Sequence, residues 1–320
     1  MISVAVPTHN RVAPLEESLR DLIRQNREGL PEVELLVILN NSPAETREVV
    51  QRCLAGFPGI ARAVEEPTPG LSHARNRAIQ EFQGDILIYT DDDVVRDPGW
   101  LRAMVRCFDD PTVGCVGGRI IPRLACPLPH WFDRPYYNGV IVKYDLGDEP
   151  LVLTEQDSMP YGANMAFRRE VVEKVGAFRS DLDLLPGTRL CGGETEYLHR
   201  AAQSGFRVLY CPSAITYHPI GEERLSRAYV REWFHDFAVS WVRMNYAREK
   251  TFPRLAGVPR HLFRRVFDDA FGWCKALLTF KTSDRIFHAT EFLYHITYAV
   301  EFRRLNGDQE KPDDDGSTEP

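Results

Sequence analysis

The 320-residue sequence lacks features that would place it in a membrane, in an oxidising compartment or on nucleic acid. Its seven cysteines are an odd number without Cys-x-x-Cys spacing, which argues against a disulfide framework and against a zinc site. No apolar run approaches the roughly 18 residues of a membrane span. The first residues form a strand-like segment instead of a signal peptide. The net charge of −7 disfavours a general nucleic-acid binder. We therefore expect a cytoplasmic protein with free thiols.

A short apolar strand that ends in three consecutive aspartates is the most informative feature of the sequence. Residues 86–90 are Ile-Leu-Ile-Tyr-Thr, and Asp91, Asp92 and Asp93 follow directly. A buried strand with this ending brings several carboxylates to one point, where they repel each other unless a positive charge lies among them. Carboxylate oxygens are ligands that Mg2+ and Mn2+ prefer, and these ions also bind phosphates. An acidic turn in solvent is the alternative interpretation of the three residues.

Strand-like and helix-like segments alternate through the first half of the chain. Apolar runs predict strands at residues 2–6, 34–39 and 86–90, with amphipathic helices between them. This alternation predicts an α/β fold with a doubly wound, mostly parallel sheet flanked by helices. Ligands bind such sheets beyond the carboxyl ends of the strands. Because polar residues follow all three strands, we expect a nucleotide pocket at that edge.

The second half of the chain is less regular. We divide the sequence into a first domain at 1–223, a helical C-terminal region at 224–305 and a disordered tail at 306–320. Residues 224–265 hold ten Lys or Arg against three acids, with apolar residues at helical spacing. This composition favours peripheral contact with the inner face of a cell membrane, near anionic headgroups. A packed helix with a basic face in solvent is the alternative.

Five motifs occur in an order that resembles the family-2 glycosyltransferases. They are Val-Pro-Thr-His-Asn-Arg at 6–11, Pro-Gly-Leu-Ser-His-Ala-Arg-Asn at 69–76, Thr-Asp-Asp-Asp at 90–93, Gly-Ala-Asn-Met-Ala-Phe at 162–167 and Gly-Glu-Thr-Glu at 193–196. The resemblance implies a GT-A fold and inverting transfer of a sugar from a nucleoside-diphosphate sugar, with a UDP-sugar favoured. It also implies a divalent cation, Mn2+ or Mg2+, and a glycan or lipid-linked acceptor.

The resemblance implies roles for single residues as well. The donor-binding set would be Pro7, Thr8, Asn10, Arg11, Asn40, Arg75, Asn76, Asp91, Asp92 and Asn164. Asp93 and Asp91 would bind the metal, and His218 would be a further ligand or a structural residue at a strand end. An inverting transfer needs one general base. Glu194 is the first candidate and Glu196 the second, although either acid would also suit the N-terminus of a helix.

Two departures from the family pattern leave other functions open. The acid motif is one acid shorter than in many relatives, and Leu39 or Asn40 stands where relatives carry an aspartate that recognises the base. A non-catalytic nucleotide-sugar-binding protein on a degenerate transferase fold is one alternative. A sugar-nucleotide nucleotidyltransferase is another, but it would need a glycine-rich phosphate loop, and residues 7–11 contain no glycine.

Overall fold

The computed structural model describes residues 1–182 and 187–309, which form parts of two compact units. The first unit comprises Met1–Leu128 and Arg134–Ser226, and the second comprises Pro129–Asp133 and the described residues from Arg227 onward. Of the tail expected at 306–320, residues 306–309 belong to the last helix, and the remainder lies outside the described residues.

The first unit contains a sheet with helices on both faces. Its strands are β1 (Ile2–Thr8), β2 (Val33–Asn40), β3 (Ile60–Glu66), β4 (Ile86–Thr90), β5 (Val95–Arg96), β6 (Val113–Leu124), β7 (Leu151–Leu153), β8 (Asn164–Arg168) and β9 (Arg207–Ile220). Its helices are α1 (Val12–Arg24), α2 (Ala44–Leu54), α3 (Leu71–Glu81), α4 (Trp100–Arg106), α5 (Arg169–Val175) and α6 (Gly193–Gln203).

The strand order places the ends of β1, β2 and β4 side by side. Strands β3, β2, β1 and β4 are adjacent and parallel. Strand β8 then runs antiparallel between β4 and β6, while β6 pairs in parallel with β9. Strands β5 and β7 pair with β9 in antiparallel fashion. The predicted α/β fold is confirmed, and its sheet is mixed because β8, and the short strands β5 and β7, run against their neighbours.

Each central strand is buried on both faces, which explains its mostly apolar sequence. Val4 and Val6 of β1 pack in one core with residues of α1, α2 and α4. Ala5, between them, faces the other core, which contains residues of α3, α5 and α6. Successive side chains of a strand point to opposite faces, so two helical layers cover one sheet. This arrangement fixes the register of the strand ends that form the site.

The second unit is mainly helical. Its elements are α7 (Arg227–Glu249), β10 (Arg254–Leu255), β11 (Val258–Pro259), α8 (Arg260–Leu278) and α9 (Thr282–Gln309). A small core of its own includes Val242, Leu262 and Phe302. Two polar links connect its helices: Asp269 and His295 lie 2.7 Å apart, and Arg243 donates to Glu301 at 3.1 Å. None of the helices in the described part of the chain is long and apolar enough to cross a membrane.

Candidate donor and metal site

A cavity of about 280 Å³ lies at the carboxyl ends of the parallel strands. Its lining includes Pro7 and Thr8 from β1, Asn40 from β2, and Asp91 and Asp92 after β4. Arg11 from the loop before α1 and the first residues of α3 complete much of the wall. The structure thus brings together three of the strand-end segments that the sequence predicts at one edge.

The aspartates after β4 are held by residues from the other strands. Thr8 donates to Asp92 through its hydroxyl group, at 2.6 Å. The Arg11 guanidinium pairs with Asp93 and lies 3.7 Å from an oxygen of Asp92. His218 of β9 places Nε2 3.7 Å from Oδ1 of Asp93. Residues from distant parts of the sequence therefore meet around one acidic cluster.

Asp91, Asp93 and His218 fit a divalent cation. One ligand atom from each lies within 4.8 Å of the other two. An octahedral ion with ligands at about 2.1 Å separates neighbouring ligand atoms by about 3 Å and opposite ones by about 4 Å. Oδ1 of Asp93 is buried and lacks a hydrogen-bond partner among the described residues. When neutral, His218 donates from Nδ1 to the Pro219 carbonyl at 3.0 Å, which leaves the Nε2 lone pair available as a ligand.

The electrostatics of the cluster also favour a cation. Burial raises the pKa of Asp91, and the negative charge of Asp93 raises it further. Burial raises the pKa of Asp92 to about 7, although Arg11 and the Thr8 hydroxyl oppose the change. For Arg11, burial favours the neutral form, but the nearby aspartates outweigh it and raise the pKa of the guanidinium. A bound cation would stabilise the ionised carboxylates, as the positive charge of Arg11 already does for Asp91 and Asp92.

Buried Arg96 holds the acidic loop in place, a role that the sequence pattern does not indicate. Its fully buried guanidinium donates to Thr90 Oγ1 at 2.9 Å, to the Asp91 carbonyl at 3.0 Å and to the Ser18 carbonyl at 3.0 Å. Burial lowers the pKa of Arg96 to about 10, while Asp21 opposes this shift. Arg96 lies in a strand of two residues, so the sequence pattern gives no signal that its side chain is buried.

Arg75, Gly162 and Glu194 form a second part of the site. Nη1 of Arg75 lies 3.4 Å from Oε2 of Glu194, and the Gly162 N–H donates to Oε1 of the same carboxylate at 3.4 Å. A Cβ atom on Gly162 would lie only 1.8 Å from Nη2 of Arg75. The glycine therefore provides the space that the guanidinium occupies.

Glu196 has different surroundings from Glu194, although both are in the first turn of α6. Arg200 donates to both of its carboxylate oxygens, at 2.8 and 3.0 Å. The same guanidinium donates to the carbonyls of Val175 and Ala177, beside the end of α5. Glu196 thus holds a structural arginine, whereas Glu194 faces Arg75.

Asn40 shapes the cavity wall through hydrogen bonds within the protein. Its amide nitrogen donates to the carbonyls of Glu66 and Thr68, at 3.2 and 2.6 Å, and its oxygen accepts from the Gly70 N–H at 2.9 Å. Leu39 is buried in the core. Both ends of the Asn40 amide thus have protein partners, and Leu39 offers no polar group.

Asn76 and Asn164, also predicted to bind the donor, have structural partners too. Asn76 exchanges two hydrogen bonds with the backbone of Phe178, at 2.9 and 2.7 Å. Asn164 is fully buried in β8, where its oxygen accepts from the Trp100 indole at 2.8 Å. Its amide nitrogen donates to the carbonyls of Arg119 and Ala214, at 3.0 and 2.8 Å.

Two further features of the cavity were not assigned from the sequence, and one predicted donor-binding residue lies outside the cavity lining. His9 lines the cavity and donates from Nδ1 to the Asn40 carbonyl at 2.7 Å. Gly70 adopts a φ of 134° immediately before α3, and the first turn of this helix lines the cavity with Leu71 and Ala74. Asn10, predicted to bind the donor, is exposed and has a φ of 54°.

Comparison with known proteins assigns the family. Residues 3–176, more than half of the chain, match the model of Glycosyl transferase family 2. The chain belongs to this family. It is 24% identical over 228 residues to a glucosyl-dolichyl phosphate glucuronosyltransferase of Haloferax volcanii, with 70% of each protein covered. It is 22% identical over 275 residues to the succinoglycan biosynthesis protein ExoM of Rhizobium meliloti, with 86% of this chain and 81% of ExoM covered.

Solved structures confirm the fold of this family-2 glycosyltransferase. The mannosyltransferase PcManGT from Pyrobaculum calidifontis, in complex with GDP-Man and Mn2+, has a TM-score of 0.62 and 21% identity. The match covers 94% of this chain and 86% of PcManGT. GalNAc-T7 with UDP, GalNAc and Mn2+ has a TM-score of 0.52 and 18% identity, over 76% of this chain and 50% of GalNAc-T7. The GT-A fold is thus confirmed, and the family membership removes the nucleotidyltransferase alternative.

Proposed function

We propose that this glycosyltransferase inverts the anomeric centre of a sugar as it moves the sugar from a nucleoside-diphosphate sugar to an acceptor hydroxyl, with Mn2+ or Mg2+ as cofactor. The convergence of Asp91, Asp93 and His218 at the edge of the cavity carries the proposal. Oδ1 of Asp93 is buried without a hydrogen-bond partner among the described residues, and a cation bound there would compensate the cost of that burial. A UDP-sugar is the favoured donor.

The donor would lie with its diphosphate between the acidic cluster and α3. The first turn of α3 lines the cavity, and a helix N-terminus offers free N–H groups and partial positive charge to a phosphate. A divalent ion held by Asp91, Asp93 and His218 supplies Lewis-acid stabilisation of the leaving diphosphate when it is bound. Thr8 and Arg96 keep the aspartate loop in place for this contact.

Glu194 is the residue that we propose as general base. It would accept the proton of the acceptor hydroxyl as that oxygen attacks the sugar from the face opposite the diphosphate. Arg75, 3.4 Å away, stabilises the ionised carboxylate that this role requires. Glu196 is less suited because Arg200 already holds both of its oxygens.

The acceptor is proposed to be a glycan or a lipid-linked saccharide. One relative is named for transfer to a glucosyl-dolichyl phosphate, and another for succinoglycan biosynthesis. The first name refers to a lipid-linked sugar and the second to the biosynthesis of a polysaccharide, and both support the proposal. We place the reaction on the cytoplasmic face of a membrane, where a lipid-linked acceptor would be presented.

A thermal-shift screen with UDP-, GDP-, dTDP- and CDP-sugars tests the donor and metal assignments. Donor at about a hundred times its Kd should stabilise the protein by about 2.7 kcal/mol in the presence of Mn2+. EDTA should remove the shift, and Asp93→Asn should abolish it without lowering the Tm of the free protein. The matched control is Asp148→Asn, since Asp148 is exposed and distant from the cluster in sequence.

Turnover distinguishes the two functions that remain. A metal-dependent shift with donor hydrolysis or transfer supports the proposed enzyme. Donor binding without turnover on any glycan or lipid-linked acceptor would support the non-catalytic binding protein. An unchanged shift in Asp93→Asn would contradict the metal assignment.

A further inference from the structure

The second unit exposes an apolar row on α8. Phe263, Phe267, Phe271 and Leu278 recur four or seven residues apart and point away from the buried side of the helix. Phe267 is 69%, Phe271 64% and Leu278 79% exposed. The opposite side of α8 buries Leu262, Asp269 and Ala276. We call these four side chains, together with Phe280, the α8 row.

Phe280 extends the row under backbone strain. It follows the end of α8 with a φ of 56°, and its side chain is 93% exposed. The N–H of Lys281 donates to the Ala276 carbonyl at 3.0 Å, which closes the helix in the manner usually formed with glycine at this position. A non-glycine residue here raises the free energy of the fold, and exposure of an aromatic ring to water does not recover that cost. A strained backbone that exposes an aromatic ring indicates that Phe280 contacts something other than its own chain.

Basic side chains border the α8 row. Residues 260–285 contain six Lys or Arg and three Asp, so this segment is positive in a protein whose net charge is −7. Arg264 and Lys281 are exposed. An aromatic face with basic residues beside it is the pattern of a helix that lies in the interface of an anionic bilayer. A protein partner would not by itself explain the positive balance.

We propose that the α8 row inserts into the headgroup region of an anionic lipid bilayer. The sequence favoured residues 224–265 for this contact, but Val230, Phe234 and Val242 of α7 are buried in the unit. Within that stretch the exposed large apolar residues before Phe263 are Phe252 and Leu255, which lie in the connection between α7 and α8, and those on helices begin at Phe263. This proposal rests on the proposed function in one respect: a lipid-linked acceptor would be presented at the bilayer that the α8 row contacts.

Vesicle flotation tests the proposal without donor or acceptor. The protein should float with vesicles of phosphatidylcholine and phosphatidylglycerol, bind phosphatidylcholine alone more weakly, and detach in high salt. The double variant Phe267→Glu, Phe271→Glu should bind vesicles at least roughly tenfold more weakly, because it removes two aromatic rings that would be buried in the bilayer. Leu151→Glu, an exposed leucine of β7, is the control and should float like wild type.

Phe280→Gly separates binding from stability. Glycine relieves the strain at φ 56°, so the variant should have a higher Tm and yet bind anionic vesicles more weakly. Equal flotation of wild type and both variants would overturn the proposal. So would a dimer in light scattering that the Glu substitutions dissociate, since a second copy would then cover the row. Donor-induced thermal shifts measured on the same variants report the proposed function separately and should remain unchanged.

Discussion

At the scale of single residues, the first turn of α6 shows how local surroundings separate two similar acids. Glu194 and Glu196 are both negative, and the sequence left either one open as general base. Glu194 has Arg75 from α3 beside it, whereas Glu196 is held by Arg200 one turn further along its own helix. The first pairing crosses the fold and cannot be deduced from spacing. The second follows the common i, i+4 pattern.

Paired substitutions test these roles. Glu194→Gln should lower turnover by about 10²- to 10⁴-fold, the usual contribution of a general base, and leave the metal-dependent donor shift intact. Glu196→Gln should keep turnover within a few-fold of wild type and lower the Tm slightly, because it weakens the link to Arg200. Initial rates and thermal shifts on the same preparations measure both effects. The reverse ranking of the two rates would transfer the role to Glu196.

Three amide residues mark the limit of prediction at this scale. Asn40, Asn76 and Asn164 occur in motifs that suggested donor contacts, yet the structure gives each of them protein partners on both ends of the amide. A motif contains residues that bind and residues that hold the binding residues in place. The sequence does not distinguish these two kinds of residue because both lie beside the site.

At the scale of elements, the buried strands were predictable and the exposed helix faces were not. Strands β1, β2 and β4 appear in the sequence as mostly apolar runs because both of their faces are covered. The antiparallel direction of β8 depends on the long connection before it, which carries no such pattern. For α7 and α8, aromatic residues occur in both helices, and only the packing shows that α7 buries Phe234 while α8 exposes Phe267.

The link between α7 and α9 gives a pH-dependent prediction. Hydrogen bonds from Arg304, opposed by burial and supported by Arg243, lower the pKa of Glu301. Because this pKa is lower in the folded state, the ionised carboxylate stabilises the fold. The stabilisation is complete at pH values above the ordinary pKa of about 4.3, and it is lost as the pH falls through the pKa of the folded state. Glu301→Gln should therefore cost about 1 kcal/mol of unfolding free energy at neutral pH, after allowance for solvent screening.

Urea titrations over a pH series measure this effect. The difference between wild type and Glu301→Gln should disappear in acid, below the pKa of the folded state. Asp268→Asn, at an exposed position on α8, serves as control and should change little at any pH. A difference that persists undiminished in acid would show that Glu301 acts through packing and not through its charge.

At the scale of the whole molecule, composition defined the class of protein but not its division. The change in composition predicts a boundary between 223 and 224, and the structure divides the chain after Ser226. It also assigns Pro129–Asp133 to the second unit, although these residues lie in a long segment with no periodic pattern. Packing between distant segments leaves no trace in local periodicity, so a boundary within a loop cannot be predicted from it.

Hydrogen exchange should separate the two proposed activities along the chain. A nucleotide sugar with Mn2+ should slow amide exchange in segments around residues 7–11, 70–75 and 91–96, which border the cavity or hold the acidic loop. Anionic vesicles should slow exchange in α8 and at residues 279–281. Mass spectrometry of the protein with each ligand alone measures both patterns. Protection of the cavity segments by vesicles, without protection of α8, would contradict the assignment of lipid binding to the α8 row.

Gly162 has a consequence for comparing this enzyme with its homologues. The Arg75 guanidinium occupies the volume where a side chain at position 162 would begin. A homologue with arginine at the position of Arg75 and a residue larger than glycine at the position of Gly162 must direct that arginine elsewhere. In an alignment, these two positions would therefore separate the family into groups. Homologues with a larger residue at position 162 would need a different cation beside their counterpart of Glu194.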